Sequence, residues 1–407
     1  MNKYKTLLVV VSTLCSLLPT FLLAQMTWTQ ATAAAGWSIR YMLTSIAFDN
    51  KIWVMGGDYL QTTEYNDVWY STNGVTWTQA TASAAWLARA SHTSVVYDDK
   101  MWLIGGSNIA TSAFYNDVWY STNGVSWTQA TSAASWSVRR SHNSVVYDSM
   151  IWVMGGYNGS VRMNDVWYST NGVNWTQATA AAGWSLRANF TSCVFDNKIW
   201  VMGGTNGTAY YNDVWYSTDG IVWTQATAAA SWSGRVGLRA VVFDNKIWVM
   251  GGYNGSTYYN DVWYSTNGVN WTQAPTASWV ARHSPGAVVH DNKIWVMGGY
   301  SGSYRNDVWY STGLSGVEEE RLTLDAFCNT LKVFPNPASS FFIISSTLNA
   351  QGFMLRIFDI SGNIVKSEEL KGPNGQEIRI SLDGIKNGVY FVKVGDEIIN
   401  KKLVITK

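Results

Sequence analysis

Six arginines recur at one position, three residues after a tryptophan: Arg40, Arg89, Arg139, Arg187, Arg235 and Arg282. A guanidinium offers a planar fork of N–H donors that fits a carboxylate or a phosphate. Six of them facing one opening could therefore hold an anionic ligand. Brought together without neutralisation they would repel one another. The chain supplies a second partner for the same charge, the aspartates of a repeated Asn-Asp-Val-Trp-Tyr segment: Asp67, Asp117, Asp165, Asp213, Asp261 and Asp307. Anion capture and internal pairing both remain open on residue type alone. The histidines offer less chemistry. His92 and His142 share a slot that holds Leu43, Phe190 and Leu238 elsewhere, and His290 replaces the aromatics Tyr97, Tyr147 and Phe195. These read as positions in a repeat. No metal-ligand cluster, nucleophile elbow or phosphate loop is visible. The expectation is no cofactor, no metal and no enzymatic activity.

A second group of candidates lies in six variable segments: DYLQTTEY, SNIATSAFY, YNGSVRM, TNGTAYY, YNGSTYY and YSGSYR. Tyr, Ser, Gly and Asn dominate recognition loops, because Tyr gives contact area at low entropic cost and the others adapt their hydrogen bonds. Tyr59, Tyr157, Tyr210, Tyr253 and Tyr300 are the candidate contacts. Polar, Gly-rich segments are also what ordinary loops contain.

The elements that position these residues follow from an internal repeat. Trp-Thr-Gln begins at Trp28, Trp77, Trp127, Trp175, Trp223 and Trp271, and a Gly-Gly pair at Gly56, Gly105, Gly155, Gly203, Gly251 and Gly298. The period of 47 to 50 residues suits a four-stranded propeller blade. The strands read as SVVYD (from Ser94), KIWVMGG (from Lys51), NDVWYST (from Asn66) and VTWTQAT (from Val75), rich in Val, Ile, Trp and Tyr. Apolar residues at adjacent positions predict sheets buried on both faces. Asn73-Gly74 and its equivalents predict a tight hairpin between strands three and four. Antiparallel order then puts the uniform turns on one face. The variable segments and the Trp-x-x-Arg crossings fall on the other, with the arginines at the channel mouth.

The sixth unit lacks its Trp-Thr-Gln strand, since Gly313-Leu314-Ser315 follows Thr312. Thr27-Trp28-Thr29-Gln30 has no unit of its own. Residues 27–32 are expected to pair with Asn306 to Thr312 and close the ring, so that no ladder edge is left exposed.

The Gly-Gly pair, the aromatic third strand and the Trp of strand four resemble the kelch repeat over residues 26 to 312. The resemblance implies an all-β, six-bladed kelch-type β-propeller. Some kelch propellers hold acidic groups with arginines at the matching position, and some are enzymes. A copper-radical oxidase on this fold needs a Cys-linked Tyr, and Cys193 falls in a core strand, in the slot of Val95 and Val145. A sialidase-like site needs a Tyr–Glu pair, and the propeller offers only Glu64. Ser71-Thr72-Asn73-Gly74 with Trp77 is also similar to the Asp-box of sialidases, one residue short in spacing.

The ends of the chain differ in character. Residues 1–24 read as a signal peptide, with Lys3 and Lys5 before an apolar run from Leu7 to Leu23 that Ser, Thr and Pro interrupt. No membrane span is expected after its removal. Residues 313–330 read as a linker containing Glu318 to Glu320. Residues 331–407 alternate strands and Gly/Asn turns, which predicts a small Ig-like β-sandwich. LKVFPNPAS, RIFDISGNIV and NGVYFVKV, ending in KKLVITK, resemble the type A sorting domain of type IX secretion. That implies recognition by the outer-membrane type IX secretion machinery, and a protein secreted or attached to the outer surface of a Gram-negative cell. Asp148-Ser149-Met150 matches a short bacterial O-glycosylation pattern.

Lys+Arg 28 against Asp+Glu 27 leaves a net charge of +1, so no nucleic-acid partner is expected. The expectation is a monomeric surface binding module or adhesin for a glycan or protein. An enzyme acting on an acidic sugar, sialidase- or epimerase-like, is the alternative.

Overall fold

The computed structural model describes residues 26–312 and, beyond them, 332–334, 338–345, 354–359, 364–369, 378–394 and 401–405. The expected signal segment 1–24, the linker 313–330, Cys15 and Cys328 lie outside the described residues.

Gln25–Gly313 form one compact unit. It contains six four-stranded antiparallel sheets and a two-stranded ribbon, Asp58–Tyr59 with Thr63–Glu64. In the first sheet Thr44–Phe48, Lys51–Met55, Val68–Ser71 and Thr78–Thr81 lie side by side in chain order. The last sheet is Gly286–His290, Lys293–Tyr300, Tyr304–Thr312 and then Thr27–Thr32 from the other end of the described chain. Trp28 pairs with Ser311 and Gln30 with Trp309, so the sixth sheet borrows its outer strand as expected.

The innermost strands pack in a closed circle, the first sheet's against the last's. A ring of backbone hydrogen bonds joins the residues just before them. Met42, Ser91, Ser141, Asn189, Gly237 and Ser284 each donate N–H to the carbonyl of the equivalent residue one sheet back, at 2.7 to 3.1 Å, and Met42 closes the circle onto Ser284. All six have positive φ, between 50° and 62°. That conformation is strained for residues other than glycine. Here the ring over-determines it.

The core is a set of seams between neighbouring sheets. Ile52, Trp53, Val54 and Met55 are buried in succession, because each sheet is covered on both faces. Typical of a seam, Trp152, Met154 and Val166 of one sheet pack with Phe190, Ile199 and Val201 of the next. Cys193 is one of these core residues, and burial pushes its thiol up.

The turns require a correction. Two-residue turns with both residues left-handed join strands one and two, as at Asp49-Asn50 with φ of 49° and 53°. At the Asn-Gly connection only glycine is left-handed, Gly74 at 70°. Asn73 acts through its side chain, whose Oδ1 accepts the N–H groups of Val75 and Thr76 at 2.9 and 3.0 Å. Strand four begins at Thr78, not Val75. The loop widens because the Trp77 indole folds back to donate to the Gly74 carbonyl at 3.1 Å. Glycine is required there for a further reason: a Cβ on Gly74 would lie 2.0 Å from the Trp295 ring of the adjacent sheet. Ser149 is exposed in one of the two-residue turns.

In the C-terminal part Lys332–Phe334, Phe341–Ser345 and Ile378–Ser381 form one antiparallel sheet. Ile364–Glu369, Met354–Phe358, Gly388–Val394 and Lys401–Ile405 form another. Phe342, Leu355, Ile357, Ile380, Val392 and Leu403 are buried.

Candidate functional site

The recurring arginines are fully buried, each at 0% exposure. Each meets the aspartate of its own repeat: Arg40–Asp67, Arg89–Asp117, Arg139–Asp165, Arg187–Asp213, Arg235–Asp261 and Arg282–Asp307. Arg187 shows the pattern. Its Nη1 and Nη2 donate to the two carboxylate oxygens of Asp213, both at 2.8 Å. Nη1 also donates to the Gly203 carbonyl at 2.9 Å, and Nε to Ser185 O at 3.1 Å. The Trp215 indole donates to the same carboxylate at 2.8 Å. Burial alone would raise the Asp307 carboxyl, but the hydrogen bond and charge of Arg282 outweigh it and hold it below the ordinary carboxylate range.

These contacts explain the first four residues of the motif. In Asn-Asp-Val-Trp, Asn66 clamps the crossing by donating to the Ala84 and Trp86 carbonyls, Asp67 binds Arg40, Val68 fills the core and Trp69 braces the aspartate. A buried guanidinium needs a counter-charge, and strand three provides it. The expectation of a ligand-binding arginine ring is therefore corrected. None of the six guanidinium groups lines the central cavity, whose mouth is formed instead by the ring residues Met42, Ser91, Ser141, Asn189 and Ser284.

Behind that mouth lies a cavity of about 190 Å³ between the inner strands. Its wall is made of Ser, Thr, Asn and apolar side chains with His92, His142 and one charged residue, Arg239. Arg239 occupies the slot of Thr44, Thr93, Asn143, Thr191 and Gly286. Its Nε donates to the Pro285 carbonyl at 2.7 Å and its Nη1 to Leu238 O at 3.3 Å. Among the described residues no carboxylate forms an ion pair with it. Burial lowers its pKa to about 10, which leaves it charged at neutral pH. His92 is held neutral by burial and the Arg89 charge, its pKa lowered to about 3, and its Nε2 bonds Thr44 Oγ1 at 3.1 Å.

The variable segments bring an aromatic patch to the same mouth. Tyr253 stacks on Tyr258 with centroids 4.6 Å apart, and Tyr258 stacks on His283 at 5.6 Å. Tyr300 meets Tyr304 at 4.9 Å, and Tyr59 meets Tyr304 at 5.0 Å. Tyr41 joins the two groups through His283 and Tyr304. The patch adjoins the cavity directly, since Tyr41 precedes Met42 and His283 precedes Ser284, both of them wall residues. Burial, with the Arg239 charge, lowers the His283 pKa to about 4.

Three of the five expected tyrosines, Tyr59, Tyr253 and Tyr300, belong to this patch. Tyr210 borders it, lying against Gly255, and is 41% exposed. Tyr157 does not join it and packs with Phe114, Arg140 and Arg162. Tyr41, Tyr258, His283, Tyr304 and Arg239 were missed by the sequence reading. A signal was present: the slot after the repeat arginine holds Ala90, Ala188 and Val236, but also Tyr41, Arg140 and His283. The two acids nearby face inward. Glu64 Oε1 accepts the Ile109 and Ala110 N–H groups. Asp58 is fully buried, and burial raises its carboxyl to about 6.

Residues 11–183 and 169–312 match the family model described as the KLHDC2/KLHL20/DRC7 Kelch-repeats domain. Residues 332–406 match the Secretion system C-terminal sorting domain. No curated protein matches the chain. The sorting domain assigns the chain to type IX secretion and to the cell surface or extracellular space. Among the described residues no helix is long and apolar enough to cross a membrane.

Proposed function

Because this chain belongs to the kelch-repeat family and carries a type IX sorting domain, we propose that it is an exported binding protein whose ligand, a glycan, docks on the Tyr-rich mouth of the propeller. The observation that carries this reading is the patch of Tyr59, Tyr253, Tyr258, Tyr300 and Tyr304 with His283, packed around the buried Tyr41, on the face where the repeats differ. Partly exposed aromatic faces offer an amphipathic surface to a sugar ring, and the Asn and Ser side chains beside them adapt their hydrogen bonds. Binding without turnover is part of the proposal. The arginines that a sialidase-like site would enlist are committed to aspartates, and Glu64 is committed to backbone N–H groups.

The test is a glycan array and calorimetry with the exported protein, comparing wild type with Tyr258→Ala and Tyr300→Ala. We expect glycans that bind wild type to bind each variant about tenfold more weakly, the scale of a lost aromatic contact. Equal binding by wild type and both variants overturns the placement. Turnover of an acidic sugar overturns the non-enzymatic reading.

A further inference from the structure

We propose that the channel behind the aromatic patch is an anion site, in which Arg239 receives an oxyanion borne by the ligand, so that the ligand class is an acidic glycan. This inference rests on the glycan reading above for the ligand's body, and on the channel itself for the charge.

Charge balance sets Arg239 apart. The six repeat arginines have aspartates; Arg239 has none among the described residues. It lies in a cavity wall without Asp or Glu. Arg239 is half-buried in this polar wall and lacks the counter-charge that each fully buried arginine of the repeat acquires. Its position is also not one that the fold demands. Thr44 and Thr93 at the same slot link neighbouring sheets through His92 and His142. Arg239 makes the equivalent link with Nε alone, to Pro285 O. Among the described residues no hydrogen bond involves its Nη2, and Nη1 has only the long contact to Leu238 O.

Geometry supplies the route. Gly286 and Ala287 replace larger polar residues in the adjoining strand. The wall adds the Ser91, Ser141, Asn189 and Ser284 side chains at the mouth, and about 190 Å³ accommodates one oxyanion with a few waters. His283 connects the two parts of the site, since its ring stacks on Tyr258 and its Nδ1 lies 3.1 Å from Ser284 Oγ in the wall. A sugar ring resting on the patch would thus carry a charged substituent to the channel. Arg140 and Arg162 on the same face form no ion pair among the described residues either, and pack on Tyr157. This face carries Arg140, Arg162 and Arg305 against the buried Asp58 and Glu64, although the whole chain is nearly neutral. Both a sulfate ester and a uronic-acid carboxylate have the required chemistry.

The experiment compares three oligosaccharides of one backbone, sulfated, carboxylated and neutral, against the exported protein and its Arg239→Thr and Tyr258→Ala variants. Thr is the residue of three other repeats at this slot, so Arg239→Thr should fold, as the melting temperature will show; Arg239→Gln is the second variant. We expect at least one acidic form to bind about tenfold more tightly than the neutral form, and Arg239→Thr to erase that difference. Sodium sulfate should compete beyond the effect of sodium chloride at equal ionic strength. Whichever acidic form is preferred identifies the source of the oxyanion. Equal affinities for acidic and neutral forms, or an acidic preference unchanged in both Arg239 variants, overturn the anion site. If the neutral form still binds wild type and fails on Tyr258→Ala, the glycan reading survives that loss. If sulfate binds through Arg239 but no oligosaccharide does, the anion site stands and the glycan reading falls.

Discussion

Thr27 Oγ1 and Thr312 Oγ1 lie 2.6 Å apart across 285 positions of sequence. This contact sits at the end of the ladder that closes the sixth sheet. Just inside it, Trp28 packs edge-on against Trp279 at 5.8 Å, as Trp77 does against Trp37 in the first repeat. The last repeat is thus completed with the same parts as the others, drawn from the opposite end of the unit.

Closure should be costly to break. Trp28 is buried at 6% exposure, and removing such a side chain costs about 3–5 kcal/mol. We expect Trp28→Ala to lower denaturant stability by that amount. A matching change at an exposed outer position such as Val75 should cost far less.

The arginine–aspartate clamps should prove structural. Removing one partner of a buried pair leaves an uncompensated charge and costs about 3–5 kcal/mol. Arg187→Ala should destabilise on that scale, and neutralising Arg89, Arg139 and Arg187 together should abolish folding. Circular dichroism and melting of the three-fold variant decide this. A folded three-fold variant with only ligand binding lost would reverse the assignment.

Acid should act through the channel histidines. His92 and His142 have folded pKa values held below their usual value of about 6.5. Their neutral forms fit the native state, so their contribution is complete above pH 6.5 and is lost as pH falls toward the folded values. His92→Leu with His142→Phe installs the residues of Leu43 and Phe190. That variant should lose less stability than wild type between pH 6.5 and 4, as melting temperatures across pH will show.

Asp58 should act in the opposite sense. Its folded pKa of about 6 lies above the usual carboxyl value. The native state therefore binds the proton more tightly, and stability falls as pH rises from about 4 through 6. Asp58→Asn keeps an acceptor for the Gln61 N–H, which Asp58 Oδ2 now accepts at 3.0 Å. We expect it to melt higher than wild type at pH 7, with the gap closing below pH 4.

The repeat unit was legible because its spacing is local chemistry. Gly-Gly pairs, Asn-Asp-Val-Trp segments and adjacent apolar residues each state a strand or a turn within a few positions of themselves. Closure by residues 27–32 was legible too, since a missing strand at one end matched a spare at the other. The sorting domain could be recognised from three short motifs in order. What the repeat does inside one sheet is therefore written in the chain.

Which side chains face the channel was decided only by the tertiary structure. The sequence offered six arginines and six aspartates without saying whether they meet. The fold brings each pair together across 25 to 28 positions and buries it. Once the six arginines are neutralised, Arg239 is the cation left in the channel wall. Likewise Tyr59 comes from the first repeat and Tyr304 from the sixth, and only ring closure makes them neighbours. A recurring residue is bound by what recurs around it, so the surface chemistry of this propeller lies in the positions where its repeats disagree.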